Sequence, residues 1–168
     1  MAYEQHTSAA DRVRASCAVV TLSDTRTADT DTSGKRIAEL LEQDGHRVDG
    51  SWIIPDDPQQ LAPLLDELIA RPMVDVILTN GGTGVSRRDN TIAVVESRLS
   101  LALPGFGELF RMLSWEQIGS GAMLSRAAGG VAKNKLLFAM PGSTKAVELA
   151  MTKLIIPEIR HILRELRK

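Results

Sequence analysis

Short apolar runs alternate along this chain with stretches in which apolar residues recur every three or four positions. Val74, Val76, Ile77 and Leu78 form a brief run rich in β-branched residues, the pattern of a buried strand in a parallel sheet. Ala15 to Leu22 reads as an earlier strand of the same kind, and Arg47 to Ile54 as another, with Val48, Trp52, Ile53 and Ile54 as its apolar members. Between them Ile37, Leu40 and Leu41 repeat at helical spacing, and the helix should stop near Gly45. Leu61, Leu64, Leu65, Leu68 and Ile69 mark the next helix, capped by Asp57 before Pro58. The order βαβαβ predicts an α/β fold with a mostly parallel sheet and right-handed crossovers.

The second half is less regular. Ile92, Val95 and Leu99 predict a helix over 91–99, Pro104-Gly105 a break, and Phe106, Leu109, Phe110 and Leu113 a short helix over 106–113. Ala127 to Ala132 and Lys135 to Met140 read as a strand pair turning at Asn134. A last helix opens at Ser143 or Thr144 and runs through Val147, Ala150, Met151, Leu154 and Ile155. Pro157 should restart it as a separate terminal helix. Residues 1–13 are expected to form a mobile polar tail before a single domain over 14–168.

Ligands of open α/β sheets bind beyond the carboxyl ends of the strands. The segments there are Ser23 to Ser33, Pro55 to Asp57, Asn80 to Asp89 and Pro141 to Thr144. The third carries Gly81, Gly82, Thr83 and Gly84, followed by Arg87, Arg88 and Asp89. Bare N–H groups in such a loop suit an anion. A glycine-rich turn without a ligand is the plainer alternative. Ser23, Asp24 and Ser33 in the first segment, and Ser143 in the last, fit simple capping as well as ligand binding. Asp57 suffices as a helix cap, which leaves Asp56 without a structural duty. Asp24, Asp56 and Asp89 together offer oxygen ligands of the kind Mg²⁺ takes along with phosphate oxygens and water.

Composition narrows the chemistry. The 168 residues carry a net charge of −1, so no general attraction to nucleic acid or to an anionic membrane exists. Cys17 is the single cysteine, which excludes an internal disulfide and a cysteine-based zinc centre. His6, His46 and His161 are scattered without ligand spacing, and none lies in the loops, so no hydrolytic triad can be assembled. No apolar run is long enough to span a bilayer and no signal-peptide core is visible, which makes the cytoplasm the expected location. GGTGVSRR lacks the Gly-Lys-Ser/Thr ending of a Walker A loop and is not a dinucleotide GxGxxG pattern. The residues by themselves reach a phosphate- or nucleotide-binding α/β domain.

Five segments carry a resemblance: SDTRTADTDTSG (23–34), TNGGTGVSRRDNT (79–91), PGFGELFRMLSWEQIG (104–119), SRAAGGVA (125–132) and FAMPGSTKA (138–146). In this order they closely resemble the MoaB/MogA family of molybdenum cofactor biosynthesis proteins, the last three nearer the MoaB branch. The resemblance implies a three-layer α/β/α molybdopterin-binding fold and a homo-oligomer, a trimer or a pair of trimers, with other molybdenum cofactor enzymes as partners. It implies adenylylation of molybdopterin with Mg-ATP, giving molybdopterin-AMP and pyrophosphate. A carrier or scaffold that binds molybdopterin without turnover is the alternative.

By the same resemblance Asp56 and Asp89 are the catalytic and metal-holding acids. Ser23, Asp24, Ser33, Gly81, Gly82, Thr83, Gly84, Pro141, Gly142 and Ser143 fall in ligand-binding segments. One departure stands out. Where the family usually has Thr-Pro in a Val-Thr-Pro run, this chain has Asn90-Thr91-Ile92. The loss of proline predicts a looser or differently angled start to the helix that follows.

Overall fold

The structure is a computed structural model and describes residues 13–86 and 89–168. The tail expected over 1–13 lies, apart from Val13, outside the described residues, as do Arg87 and Arg88. The first half follows the sequence pattern closely: β1 (Ser16–Leu22), α1 (Thr32–Gln43), β2 (Arg47–Ile54), α2 (Pro58–Ala70) and β3 (Val76–Asn80). Then come α3 (Thr91–Glu96), β4 (Leu101–Ala102), α4 (Pro104–Ile118), a 3₁₀ turn (Gly119–Leu124), β5 (Ala128–Ala132) and β6 (Lys135–Met140). The chain closes with α5 (Thr144–Ala150), a π turn (Met151–Ile155) and α6 (Ile156–Leu166).

The six strands form one sheet in the order β2-β1-β3-β6-β5-β4. β2, β1, β3 and β6 are parallel, and β5 runs against both its neighbours. Strand alternation divides the core into two layers. Cys17, Val19, Val76, Leu78, Leu136 and Phe138 face α1, α4, α5 and α6. Ala18, Val20, Ile77 and Leu137 face α2 and α3. This is the expected three-layer α/β/α arrangement. Cys17 is fully buried, and burial pushes its thiol up to about 12, so it is a core residue without thiolate chemistry. Among the described residues no helix is long and apolar enough to cross a membrane.

Two differences from the sequence pattern have physical causes. α4 starts at Pro104 and runs to Ile118, because Pro and Gly are tolerated in a first turn and break a helix only further in. β4 has two residues, too few for a period-two signal to register. Pro157 opens the terminal helix as expected: it lies in the first turn of α6, which a π turn joins to α5.

His46 joins α1 to β2 from inside the core. Its Nδ1 accepts the Ala15 N–H at 3.1 Å, and its Nε2 lies 3.2 Å from Asp44 Oδ2. Burial, and next the Arg160 guanidinium, lower its pKa below the ordinary 6.5. A depressed histidine pKa stabilises the fold above the unfolded value, and that contribution is lost as pH falls below it. The melting temperature should therefore drop between about pH 7 and pH 5. His46→Gln, which keeps an acceptor and cannot charge, should flatten that slope in a pH series of thermal melts.

Candidate functional site

The parallel strands bring four loops to one rim. Leu22 pairs with Ile54, Thr21 with Asn80, and Asn80 with Met140, so β1, β2, β3 and β6 end side by side. The loops are fastened together from below. Thr21 Oγ donates to Asp31 Oδ2 at 2.6 Å and accepts from Asn80 Nδ2 at 2.9 Å. Ser33 Oγ donates to Asn80 Oδ1 at 2.7 Å, while Asp31 caps α1 by accepting the Gly34 N–H at 2.9 Å. All four side chains are buried, and each has its partners, which makes the cluster rigid. Arg26 ties it to the last loop: its guanidinium donates to Ser33 Oγ, to Asp31 Oδ1 at 3.4 Å and to the Gly142 carbonyl at 2.8 Å.

The glycine loop needs its glycines. Gly81 has φ +100°, and a Cβ there would sit 2.2 Å from the Leu22 carbonyl oxygen. Gly82 has φ +61°, and a Cβ there would sit 2.3 Å from both Asp56 Oδ1 and Thr91 Oγ1. The Gly81 N–H is bound to the Met140 carbonyl at 3.1 Å, which draws the β6 turn against the loop. Thr83 is buried. Arg126, in front of β5, clamps the loop by donating to the carbonyls of Gly84 at 2.9 Å and Asp89 at 3.5 Å. α3 begins at Thr91 despite the missing proline, held by the Thr91 N–H on the Gly82 carbonyl at 3.2 Å.

Asp56 and Asp89 meet over this loop. The Asp89 carboxyl is held below the usual carboxylate range, chiefly by the Ser86 hydroxyl. The N–H groups of Ser86 and Gly84 add to this, and so does a hydrogen bond with the Asp56 carboxyl group. Two carboxyl groups in contact must share a proton or a cation. An all-oxygen pair suits a hard cation such as Mg²⁺. No cluster of three or more His, Cys, Asp or Glu side chains with metal-binding geometry occurs among the described residues. Two carboxylates, with substrate oxygens and water completing the shell, is the composition a Mg²⁺-nucleotide site uses. The residues present therefore fit that ion.

The other residues singled out from sequence take distinct places. Ser23 Oγ accepts the N–H groups of Thr25 at 3.3 Å and Arg26 at 3.2 Å, shaping the first loop. Asp24 Oδ1 accepts the Asp56 N–H at 3.2 Å and so positions that acid. Ser33 is fully buried with its hydroxyl engaged, so it supports the rim from beneath and does not face it. Pro141 and Gly142 lie on the rim, and Ser143 Oγ caps α5 by accepting the Ala146 N–H at 3.2 Å. A cleft of about 720 Å³ opens at the Pro141 to Thr144 turn and continues along α5 to Ser114 and Gln117 of α4. Arg26, Asp31, Asn80, Thr91 and Arg126 were not singled out as site residues. An amide at the end of an otherwise apolar strand was the available signal for Asn80. The partners of the other four become visible only in three dimensions.

Comparison with known proteins identifies the family. Residues 18–161 match a family described as a probable molybdopterin binding domain. Molybdenum cofactor biosynthesis protein B of Halalkalibacterium halodurans is 49% identical over 169 residues, covering all of this chain and 99% of the relative. A crystal structure of a molybdenum cofactor biosynthesis protein B superposes with a TM-score of 0.90 at 50% identity, covering 92% of this chain and 97% of the other. The tungsten cofactor synthesizing protein MoaB from Pyrococcus furiosus superposes at 0.82 with 34% identity, over 92% and 98% of the two chains. By the family match over most of its length, the identity to its relatives and the shared fold, this chain belongs to the molybdopterin-binding family of molybdenum cofactor biosynthesis proteins.

Proposed function

We propose that the chain adenylylates molybdopterin with Mg-ATP. The observation that carries this reading is that two acids are drawn against the glycine loop, Asp56 at Gly82 and Asp89 at Gly84. A carrier needs a pocket for the pterin, but it has no need of two acids on that loop.

In the reaction the terminal phosphate of molybdopterin attacks the α-phosphorus of ATP. A new phosphorus–oxygen bond forms to the attacking phosphate. The bond from the α-phosphorus to the α,β-bridging oxygen breaks, and pyrophosphate leaves with that oxygen and its electron pair. A phosphate monoester is already a nucleophile, so no general base is required. Positioning and charge stabilisation do the catalysis. Bound Mg²⁺ would neutralise charge on the ATP phosphates. Asp56 and Asp89 would hold it. The N–H groups of Gly81 and Gly84 are engaged by Met140 and Asp89, so donation to a phosphate falls to Gly82 and Thr83. The cleft beside Pro141 to Thr144 is within the size range that encloses a small organic ligand, and we assign it to the pterin. In the same reading the protein is a homo-oligomer, with the exposed row Leu109, Met112, Trp115 and Ile118 of α4 as its contact face.

The test is to incubate the protein with molybdopterin, ATP and Mg²⁺. Pyrophosphate and molybdopterin-AMP are expected in equal amounts. Tight molybdopterin binding without pyrophosphate would replace the enzyme by the carrier.

A further inference from the structure

The turn that walls the cleft contains one soft joint. Pro141 has its φ fixed by its ring. Ser143 is held as the cap of α5, with the Ala146 N–H on its Oγ at 3.2 Å and the Val147 N–H on its carbonyl at 3.0 Å. Gly142 between them has no side chain to restrain its backbone, and a Cβ there would crowd the Gly81 Cα at 3.1 Å. The Arg26 side chain holds this joint, donating from its guanidinium to the Gly142 carbonyl at 2.8 Å. A trans peptide points its C=O and N–H in opposite directions, so the same contact fixes the plane of the 142–143 peptide. Arg26 is itself braced by Asp31 Oδ1 at 3.4 Å and by Ser33 Oγ, in the buried cluster beneath the rim. Its side chain is 26% exposed and lies outside the cleft, whereas Pro141, Ser143 and Thr144 line it.

We infer that Arg26 is a positioning residue for molybdopterin: by clamping the Gly142 carbonyl it holds the Pro141 to Thr144 wall of the cleft in its binding shape. The inference rests on the assignment of that cleft to the pterin and adds a residue to it. A guanidinium suits the task. Its flat fork of N–H groups bridges a carboxylate, a hydroxyl and a carbonyl at once, which a compact ammonium does not. A wall that is already in place spares the ligand the cost of ordering it. Without Arg26 the glycine joint is free to swing, and molybdopterin must order the turn as it binds. The buried cluster survives that loss. Asp31 keeps the Thr21 hydroxyl at 2.6 Å and the Gly34 N–H at 2.9 Å, and Ser33 keeps Asn80 at 2.7 Å. The effect of Arg26 therefore falls on this turn and its ligand, not on the sheet.

The experiment follows molybdopterin binding, by pterin fluorescence, in wild type, Arg26→Ala and Arg26→Lys. Both variants should bind about tenfold more weakly. Arg26→Lys keeps the positive charge beside Asp31, so it should melt within about 2 °C of wild type while losing that affinity. Without ligand, amide hydrogen exchange at Ala146 and Val147, whose N–H groups rest on Ser143, should run about tenfold faster in both variants, with the amides of β1 and β3 unchanged. Wild-type molybdopterin affinity in either variant would overturn the assignment. Exchange that rises across β1 and β3, or that stays unchanged at Ala146 and Val147, would overturn it too. A wild type that binds no molybdopterin would remove the pterin from the cleft, and with it the role of Arg26. Arg26-dependent binding in a protein that releases no pyrophosphate would end the adenylylation reading and leave Arg26 in place.

Discussion

Asp89→Asn will fold and will still bind molybdopterin, but it will lose pyrophosphate release by about 100-fold or more. The amide retains an oxygen to accept the Ser86 N–H, so the turn that carries it persists. What it lacks is the negative charge that Ser86 and Gly84 hold in place beside Asp56. A factor of 100 corresponds to about 2.7 kcal/mol, a modest share of what a cation on a phosphoryl centre contributes. The measurement is steady-state pyrophosphate release at saturating Mg-ATP, paired with a thermal melt. A wild-type rate in the variant would take Asp89 out of the mechanism.

Gly81→Ala should have the largest effect on stability at the site. Two costs coincide there. The backbone sits at φ +100°, a region that L side chains avoid, and the new methyl would meet the Leu22 carbonyl at 2.2 Å. That carbonyl belongs to the end of a strand hydrogen-bonded on both sides, so it cannot withdraw as a flexible side chain would. Strain and overpacking together predict a loss of about 3 kcal/mol or more, roughly 6–12 °C in melting temperature for a chain of this size. A variant melting within about 2 °C of wild type would show that the loop relaxes.

The strands and helices that position the site were legible because their apolar residues follow the period of the element that buries them. β1 and β3 read as continuous apolar runs since both faces are covered. α2 read as a helix since Leu61, Leu65 and Leu68 repeat on one side. Asp56 stood out by subtraction, because Asp57 already caps α2. The fastening beneath the rim was not legible. Asp31 and Ser33 look like ordinary cap residues in one dimension, and Arg26 like a solvated charge. Their meaning depends on Asn80 and Gly142, far along the chain. Arg126 and Thr91 were hidden for the same reason. A carbonyl partner leaves no trace in residue type.

The central position of β3 has a consequence for synthesis. It pairs with β1 on one side and with β6 on the other, and β6 is made only after α3, β4, α4 and β5. For several seconds at ordinary elongation rates, a nascent chain therefore presents Val76, Ile77 and Leu78 along an open hydrogen-bonding edge. Aggregation during rapid expression, relieved by co-expressed chaperones that cover the open edge, is the behaviour this topology imposes on the newborn polypeptide.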